Sequence, residues 1–277
     1  MLNWCSKDLE TKNYPEPRVT SEILLSYFFQ KPRIYLYTNF DQPMTEIELT
    51  NFKKLYQNIL TNNPLQYVTG ETSFMGLKFK TDKRALIPRI DTEVLVETVI
   101  SIAEKYFTEE KHISILDIGT GSGAISVALA KLIPKSKITS IDISADAISL
   151  ANENGILNKV EFQINFLQKD ILTEGVNEKF HLVVSNPPYI SLDEYQNLSE
   201  SIKNFEPRNS LTDEKDGLTF YRRFAEVGKN WLFENGFCIL EHAYNQQEDI
   251  CEIFSDWEIV NKFKDYNKLP RGIVAKT

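Results

Sequence analysis

From residue 112 onward, short apolar runs that predict strands alternate with segments that predict helices. The predicted strands cover residues 113–118, 137–143, 160–164, 180–185, 236–241, 257–264 and 272–276. The predicted helices cover residues 123–132, 145–154, 218–233 and 246–254. This alternation is typical of an α/β fold with a doubly wound, parallel sheet and helices on both faces. Ligands of such a sheet bind at the carboxyl ends of its strands.

The first 90 residues have a different pattern, which predicts a helical domain followed by a linker. Helical spacing of apolar residues appears over 21–29, behind a Ser cap, and over 45–60, where Thr45 and Glu48 form a capping box. Two β-like runs on either side of Gly76 predict a hairpin, and a further helix is predicted over 92–107. We therefore expect a helical bundle over residues 1–66, a β-hairpin linker over 67–90 and an α/β domain over 91–277.

Composition argues against several classes of protein. The 277-residue chain has a net charge of −8, whereas nonspecific nucleic-acid binders usually carry a basic surplus. A local basic patch stays possible. Its three cysteines and three histidines have no disulfide or metal-ligand spacing, so we expect reduced thiols in a cytosolic protein and no metal. We also expect neither a signal peptide nor a membrane span.

A strand that runs into a glycine loop, residues 113–124, predicts a nucleoside site. Gly119, Gly121 and Ala124 match a dinucleotide fingerprint, but this match alone is weak. Asp117 distinguishes between possible cofactors, because a carboxylate at the strand end would repel the pyrophosphate of NAD. The same carboxylate suits S-adenosylmethionine, which has no phosphate and carries an ammonium and a sulfonium. The residues favour S-adenosylmethionine, with NAD as the alternative.

Two further acids follow the next two predicted strands. Asp142 lies 19 residues after Gly123, where a carboxylate can accept hydrogen bonds from both ribose hydroxyls. Asp170 can accept from the adenine amino group, with Ile171 against the ring. A turn residue and a helix cap are the ordinary explanations for the two acids. Three acids at three successive strand ends make those explanations improbable together.

The stretch 180–190, FHLVVSNPPYI, predicts a buried strand that is stopped by two prolines. Its end offers two hydrogen-bond acceptors, the Asn186 side-chain oxygen and the Pro187 carbonyl, but no general base. Two acceptors suit a planar NH₂ nucleophile, because they fix its two N–H bonds while charge develops on the nitrogen. Tyr189 can pack on the planar group and exclude water.

The motifs at Asp117–Gly121 (DIGTG), Asp142 and Asn186–Tyr189 (NPPY) resemble class I methyltransferases that act on planar nitrogen. Further motifs recur in order: PLQY at 64–67, TGE at 69–71, LIPR at 86–89, DTE at 91–93, FEP at 205–207 and DY at 265–266. The whole set is similar to the release factor glutamine methyltransferases of bacteria, the PrmC/HemK family. The resemblance covers nearly the whole chain and is weakest over residues 1–60.

This resemblance implies a Rossmann-like sheet, mostly parallel with an antiparallel last strand, and a small N-terminal helical domain that helps to grip the substrate. It implies methyl transfer from S-adenosylmethionine, with S-adenosylhomocysteine as the product. The acceptor is the N5 side-chain amide of the glutamine in the Gly-Gly-Gln motif of class 1 peptide chain release factors. The implied partners are these release factors, in the bacterial cytoplasm, with no membrane and no direct nucleic-acid binding.

The resemblance also assigns roles to residues of this chain. Asn186 and Tyr189 are the expected catalytic residues. The expected cofactor contacts are Asp117, Ile118, Gly119, Thr120, Gly121, Asp142, Asp170, Ile171 and Asn186. The expected substrate contacts are Asn186, Pro187, Pro188, Tyr189 and Arg89, although a surface salt bridge explains Arg89 equally well.

Two positions depart from the family pattern, and three alternative functions remain. Ile90 stands where a proline is frequent, which bears on linker stiffness, and Ile171 where an aromatic residue is frequent, which bears on cofactor affinity. A DNA adenine-N6 methyltransferase would need a basic recognition insertion that this chain lacks. A ribosomal protein glutamine methyltransferase shares the same motif. A catalytically silent nucleoside-binding module is the non-enzyme alternative.

Overall fold

The computed structural model describes all residues from Met1 to Thr277, which divide into two units, Met1–Gly70 and Glu71–Thr277. The first unit consists of five helices: α1 Leu2–Thr11, α2 Pro17–Phe29, α3 Arg33–Thr38, α4 Glu46–Leu60 and α5 Leu65–Thr69. Leu24, Phe52 and Ile59 lie at the centre of its apolar core. A bundle of this kind buries the apolar stripe of each helix.

The caps of the first unit confirm one prediction and correct another. Thr45 caps α4 through the predicted capping box, with its hydroxyl accepting from the Glu48 amide at 3.2 Å. Ser21 was expected to cap α2 but lies fully buried inside the helix, where its hydroxyl donates to the Pro17 carbonyl at 2.7 Å. The helix begins earlier because Pro17 has the φ of a first helical turn and needs no hydrogen-bonded N–H there.

The second unit is built on a seven-stranded sheet with helices on both faces. Its strands are β3 Ile113–Ile118, β4 Ser136–Asp142, β5 Ile164–Gln168, β6 Phe180–Ser185, β7 Leu232–Glu241, β8 Glu258–Lys264 and β9 Pro270–Lys276. Its helices are α6 Glu93–Tyr106, α7 Ala124–Leu132, α8 Ala145–Asn158, α9 Leu192–Gln196, α10 Glu200–Phe205, α11 Thr219–Trp231 and α12 Gln247–Ile253.

The strand order β5-β4-β3-β6-β7-β9-β8 confirms the predicted fold. The first five strands in this order run parallel, and β9, the last strand of the chain, runs antiparallel to both of its neighbours. The chain moves outward from β3 to β5 and then returns to β6 on the other side of β3. This change of direction opens a crevice at the carboxyl ends of β3 and β6, where doubly wound sheets bind ligands.

The predicted hairpin is present, as β1 Glu71–Phe74 and β2 Leu77–Lys80. Phe74 and Phe79 are buried in the core of the second unit. The Asn154 side chain on α8 accepts from the Lys80 amide at 2.7 Å and donates to the Lys80 carbonyl at 3.1 Å. The hairpin is therefore anchored in the second unit, whereas the sequence predicted a linker between domains.

One predicted strand, over residues 160–164, was wrong. Helix α8 continues to Asn158 and ends at Lys159, which has a left-handed φ of 59°. A 3₁₀ turn, Glu161–Gln163, follows, and the strand begins only at Ile164. The β-branched residues Val160 and Ile164 are both buried, but the turn after the helix separates them. None of the helices combines the length and the apolar character needed to cross a membrane.

Candidate active site

A cavity of about 290 Å³ lies at the carboxyl ends of β3, β4 and β6. It brings together nine of the residues that the sequence predicted for the site: Ile118, Gly119, Gly121, Asp142, Asp170, Ile171, Asn186, Pro187 and Pro188. Four other predicted residues, Asp117, Thr120, Tyr189 and Arg89, do not line it. The site therefore has a wall formed by the glycine loop and a wall formed by the proline turn.

The glycine loop is held close to the sheet by backbone hydrogen bonds. The amides of Gly119 and Thr120 both donate to the Ile141 carbonyl, at 2.9 and 3.0 Å. At Gly123, φ is +80°, and an added Cβ would lie 3.0 Å from the Cβ of Ala151 on α8. Only glycine allows this approach, so Gly123 fixes the start of α7 against α8.

Asp117 lies beneath the loop and not on the cavity wall. Its side chain is fully buried, and its carboxylate accepts from the Ser126 hydroxyl and, at 3.3 Å, from the Ser140 hydroxyl. The Ser140 oxygen also lies 2.7 Å from the Thr120 hydroxyl, which extends the network to the loop. Burial raises the pKa of Asp117 to about 6. Through this network the carboxylate supports the loop from below.

Asp142 does lie on the cavity wall, where two backbone amides fix its carboxylate. One oxygen accepts from the Gly121 amide at 2.8 Å and the other from the Ser144 amide at 2.9 Å. Burial raises the pKa of Asp142, while these amides act in the opposite direction. The orientation of the carboxylate is thus set before any ligand binds, which lowers the entropic cost of binding.

Asp170 and Ile171, which follow β5, also line the cavity. The Asp170 carboxylate accepts from the Leu172 amide at 2.9 Å and from the Thr173 hydroxyl at 3.0 Å, so it also stabilises the turn that it begins. Ile171 is almost fully buried, and its carbonyl accepts from Arg223 Nε on α11 at 3.1 Å. This contact ties the α11 helix to the adjacent cavity wall.

Sequence reasoning missed the contribution of residues 207–220 to the cavity. Phe220, the second residue of α11, lines it together with Pro207, Ser210 and Thr212. Asp213 organises the segment, because its carboxylate accepts from the amides of Lys215, Gly217 and Thr219 at 2.9 to 3.0 Å. The FEP motif at 205–207 was the one local signal that this segment returns to the site.

The proline turn presents two acceptors that have no hydrogen-bond partner in the protein. The Asn186 side-chain amide donates from Nδ2 to the Thr92 hydroxyl at 3.0 Å, which leaves Oδ1 free, and the Pro187 carbonyl is also unpaired. The Ser185 hydroxyl donates to the Ile118 carbonyl at 2.7 Å and fixes the end of β6 against β3. Two acceptors of this kind match the needs of a planar NH₂ group.

Tyr189 and Arg89 both make their hydrogen bonds outside the cavity. The Tyr189 carbonyl accepts from Gln246 Nε2 at 2.8 Å, and burial together with the charge of Glu241 raises the pKa of the Tyr189 phenol to about 12. Arg89 Nη2 lies 2.6 and 2.7 Å from the two carboxylate oxygens of the buried Glu206. Arg89 therefore forms the salt bridge that the sequence left as the alternative, next to Pro207 on the cavity wall.

Comparison with protein families gives two matches. The model for the methyltransferase small domain matches residues 91–204, and the model for the PrmC N-terminal domain matches residues 1–70. A solved methyltransferase from Pyrococcus furiosus has the same fold, with a TM-score of 0.52 and 17% identity over 79% of this chain and 96% of its own. The class I methyltransferase fold follows from these matches and the strand order.

Several curated relatives carry the name release factor glutamine methyltransferase, among them the two that follow. The one from Fusobacterium nucleatum is 39% identical over 97% of this chain and 75% of its own length. The one from Chlorobaculum tepidum is 35% identical over 95% of this chain and 91% of its own length. On this similarity, which extends through both units, the chain belongs to the release factor glutamine methyltransferase family.

Proposed function

We propose that the protein methylates the side-chain amide nitrogen, N5, of the glutamine in the Gly-Gly-Gln motif of class 1 peptide chain release factors, with S-adenosylmethionine as the methyl donor. The observation that carries this proposal is the pair of free acceptors, Asn186 Oδ1 and the Pro187 carbonyl, beside a carboxylate-lined cavity. The names of the two relatives support the release factor as the substrate.

The cavity fits the proposed donor. The fixed Asp142 carboxylate suits the ribose hydroxyls, and Asp170 suits the adenine amino group. Arg84 also lines the cavity, and its guanidinium already forms ion pairs with Asp82 and Glu153, each at 2.7 Å. The glycine loop leaves room for an amino-acid tail. When bound, S-adenosylmethionine supplies an electrophilic methyl carbon, and its sulfur retains the electron pair of the broken C–S bond.

The proline turn acts on the incoming amide. Asn186 Oδ1 and the Pro187 carbonyl accept the two N–H bonds of the glutamine side chain, which fixes its nitrogen and favours the charge that develops there. A positive charge develops on the amide nitrogen as the N–C bond forms, and the two acceptors stabilise this charge. The nitrogen then releases one proton, which passes to solvent. The rigidity of Pro187 and Pro188 holds the acceptors in place.

We also propose a division of labour between segments of the chain. Residues 1–66 contribute to release factor recognition, residues 67–90 carry the hairpin, and residues 91–277 bind the donor and perform the transfer. The match of the PrmC N-terminal domain to residues 1–70 supports the first assignment. The proposed reaction takes place in the bacterial cytoplasm, where release factors act.

Transfer of label from methyl-tritiated S-adenosylmethionine tests the proposed function. The protein is incubated with a bacterial class 1 release factor, with the same factor carrying alanine in place of the motif glutamine, with ribosomal protein and with DNA. We expect label on the first substrate alone, and a methylated glutamine by mass spectrometry of its peptide. Label on ribosomal protein or DNA, but not on the release factor, would contradict the substrate assignment. No label on any substrate would favour the nucleoside-binding module.

Phe220→Ala is expected to weaken binding of S-adenosylhomocysteine by roughly tenfold, because an aromatic contact with a planar ring contributes about 0.5–1.5 kcal/mol. Phe220 lines the same cavity as Ile171, which stands where an aromatic residue is frequent in the family. Isothermal titration calorimetry measures the effect. Phe162→Ala is the matched control, because the Phe162 side chain is 95% exposed and outside the cavity. Equal affinities of the two variants would exclude Phe220 from the adenine site.

A further inference from the structure

A buried glutamate lies directly behind the Asn186 side chain. Glu241 is the last residue of β7, and the parallel register that pairs Ser185 with Leu240 places it beside Asn186. The Glu241 side chain is 1% exposed, and its Oε2 has no hydrogen-bond partner. Burial of a carboxylate is costly, so a fold that needed only packing here would use an apolar residue.

Thr92 lies between Glu241 and the Asn186 side chain of the proline turn. Asn186 Nδ2 donates to the Thr92 hydroxyl at 3.0 Å, and Thr92, 5% exposed, precedes the first turn of α6. The Glu241 carboxylate faces the side chains of both Thr92 and Asn186. These neighbours lower the pKa of Glu241, but burial raises it by more, to about 7.

The direction of the hydrogen bond between Asn186 and Thr92 depends on the carboxylate that faces them. An ionised carboxylate accepts only, so a neighbouring hydroxyl must donate to it. A Thr92 hydroxyl that turns its proton towards the carboxylate can then only accept from Asn186, as it does in the structure. The Nδ2 end of the amide is held towards Thr92 and Glu241, and the Oδ1 end faces away from them.

We propose that Glu241, acting with Thr92, is a positioning residue that selects the orientation of the Asn186 side-chain amide in which Oδ1 is presented to the substrate. This inference rests on the proposed function of the proline turn. The two ends of a primary amide have nearly the same shape, so packing alone does not distinguish them. A flipped amide would set Oδ1 against the carboxylate and present N–H donors to the N–H bonds of the substrate.

Substitutions that remove the acceptor test the proposal. Glu241→Met is expected to lower kcat for release factor methylation by about 30-fold, with the Kd for S-adenosylhomocysteine changed by less than about threefold. Its Tm should equal or exceed that of the wild type, because a buried charge is removed. Thr92→Val should lower kcat by about tenfold, whereas Thr92→Ser, which keeps the hydroxyl, should restore it to within about threefold of the wild type.

A double-mutant cycle separates positioning from general support of the fold. In an Asn186→Ala background, Glu241→Met should change kcat by less than about twofold, because the amide on which Glu241 acts is absent. Additive losses, or a Glu241→Met enzyme as active as the wild type, would overturn the proposal. If the wild type instead methylates a different substrate, the substrate assignment fails, and the same cycle measured on that substrate still tests Glu241.

The pH dependence of kcat gives a second, independent readout. Below a pH of about 7 the Glu241 carboxylate becomes protonated, can donate, and no longer enforces the direction of the Thr92 hydroxyl. The other titratable or charged groups that face it are Arg271 on β9, Asp91 before α6, Tyr189 after β6, and Tyr221 on α11, whose hydroxyl donates to the Glu241 carbonyl at 2.7 Å. The wild type should lose activity as the pH falls through this range, and Glu241→Met should lack that limb. The same limb in both enzymes would contradict the role of Glu241.

Discussion

Asn186→Ala is expected to lower kcat for release factor methylation by about 100- to 1,000-fold, the loss typical of removing one polar group that stabilises developing charge. The substitution removes Oδ1, one of the two acceptors at the proline turn, and leaves the Pro187 carbonyl in place. Asp142 and the glycine loop keep their mutual hydrogen bonds, so the Kd for S-adenosylhomocysteine should change by less than about threefold. Single-turnover kinetics and calorimetry measure the two quantities separately.

The control for this prediction is Asn197→Ala. Asn197 follows α9, its side chain donates to the Asp193 carbonyl at 3.0 Å, and it does not line the cavity. Its removal should leave kcat within about twofold of the wild type. If Asn186→Ala lowers kcat and cofactor affinity by the same factor, Asn186 acts in donor binding and not on the substrate amide.

The site residues that could be identified from sequence are those that directly follow a predicted strand, because the pattern that marks them lies within a few neighbouring residues. Asn186 and Pro187 follow an apolar run directly, and the strand predicted over 180–185 is the one observed. The glycine loop and Asp142 are equally local, because each lies at the end of its own strand. In a parallel sheet the ends of neighbouring strands meet, so local signals were enough to assemble two walls of the cavity.

Thr92, Glu241 and Phe220 could not be found in this way. Thr92 lies 94 positions before Asn186, and Glu241 reaches it only through the pairing of β6 with β7. The sequence predicted β7 as a strand but not its register, and a carboxylate at a strand end has no distinguishing local pattern. Phe220 depends on how the long segment between β6 and α11 folds back over the cavity, which the tertiary structure decides.

The sequence predicted that Asp117 would contact the cofactor, but in the structure Asp117 is buried beneath the glycine loop and does not line the cavity. Side chains alternate between the faces of a strand, so Asp117 shares a face with Ile115, which packs in the core that contains α7. Ser126 on that helix and Ser140 on β4 then meet the carboxylate. Its carboxylate therefore lies beneath the glycine loop and does not line the cavity.

Gly217→Ala is expected to combine a loss of stability with a loss of activity. Gly217 has a φ of +80°, and an added Cβ would lie 2.3 Å from the Tyr189 carbonyl oxygen and 2.8 Å from Gln246 Nε2. Both atoms belong to the hydrogen bond that holds the chain just after Pro188. Left-handed strain costs about 1–2 kcal/mol for a residue with a Cβ, and overpacking adds about 1–3 kcal/mol. Denaturant unfolding should therefore show a free energy lower by about 2–5 kcal/mol.

The activity of Gly217→Ala should fall as well. The backbone at Tyr189 must move to relieve the clash, and the same turn carries the two acceptors at Asn186 and Pro187. A displacement of about 1 Å at reacting groups costs on the order of 100-fold in rate, so kcat should fall by about 10- to 100-fold even where the variant is fully folded.

Gly76→Ala separates strain from the clash, because Gly76 has a φ of +71° and no atom within 4 Å of an added Cβ. It should lose about 1 kcal/mol and keep its kcat. Gly175→Ala, with open space and no positive φ, should lose neither. If Gly217→Ala matched Gly76→Ala in both measurements, the turn would not depend on the close approach at Gly217.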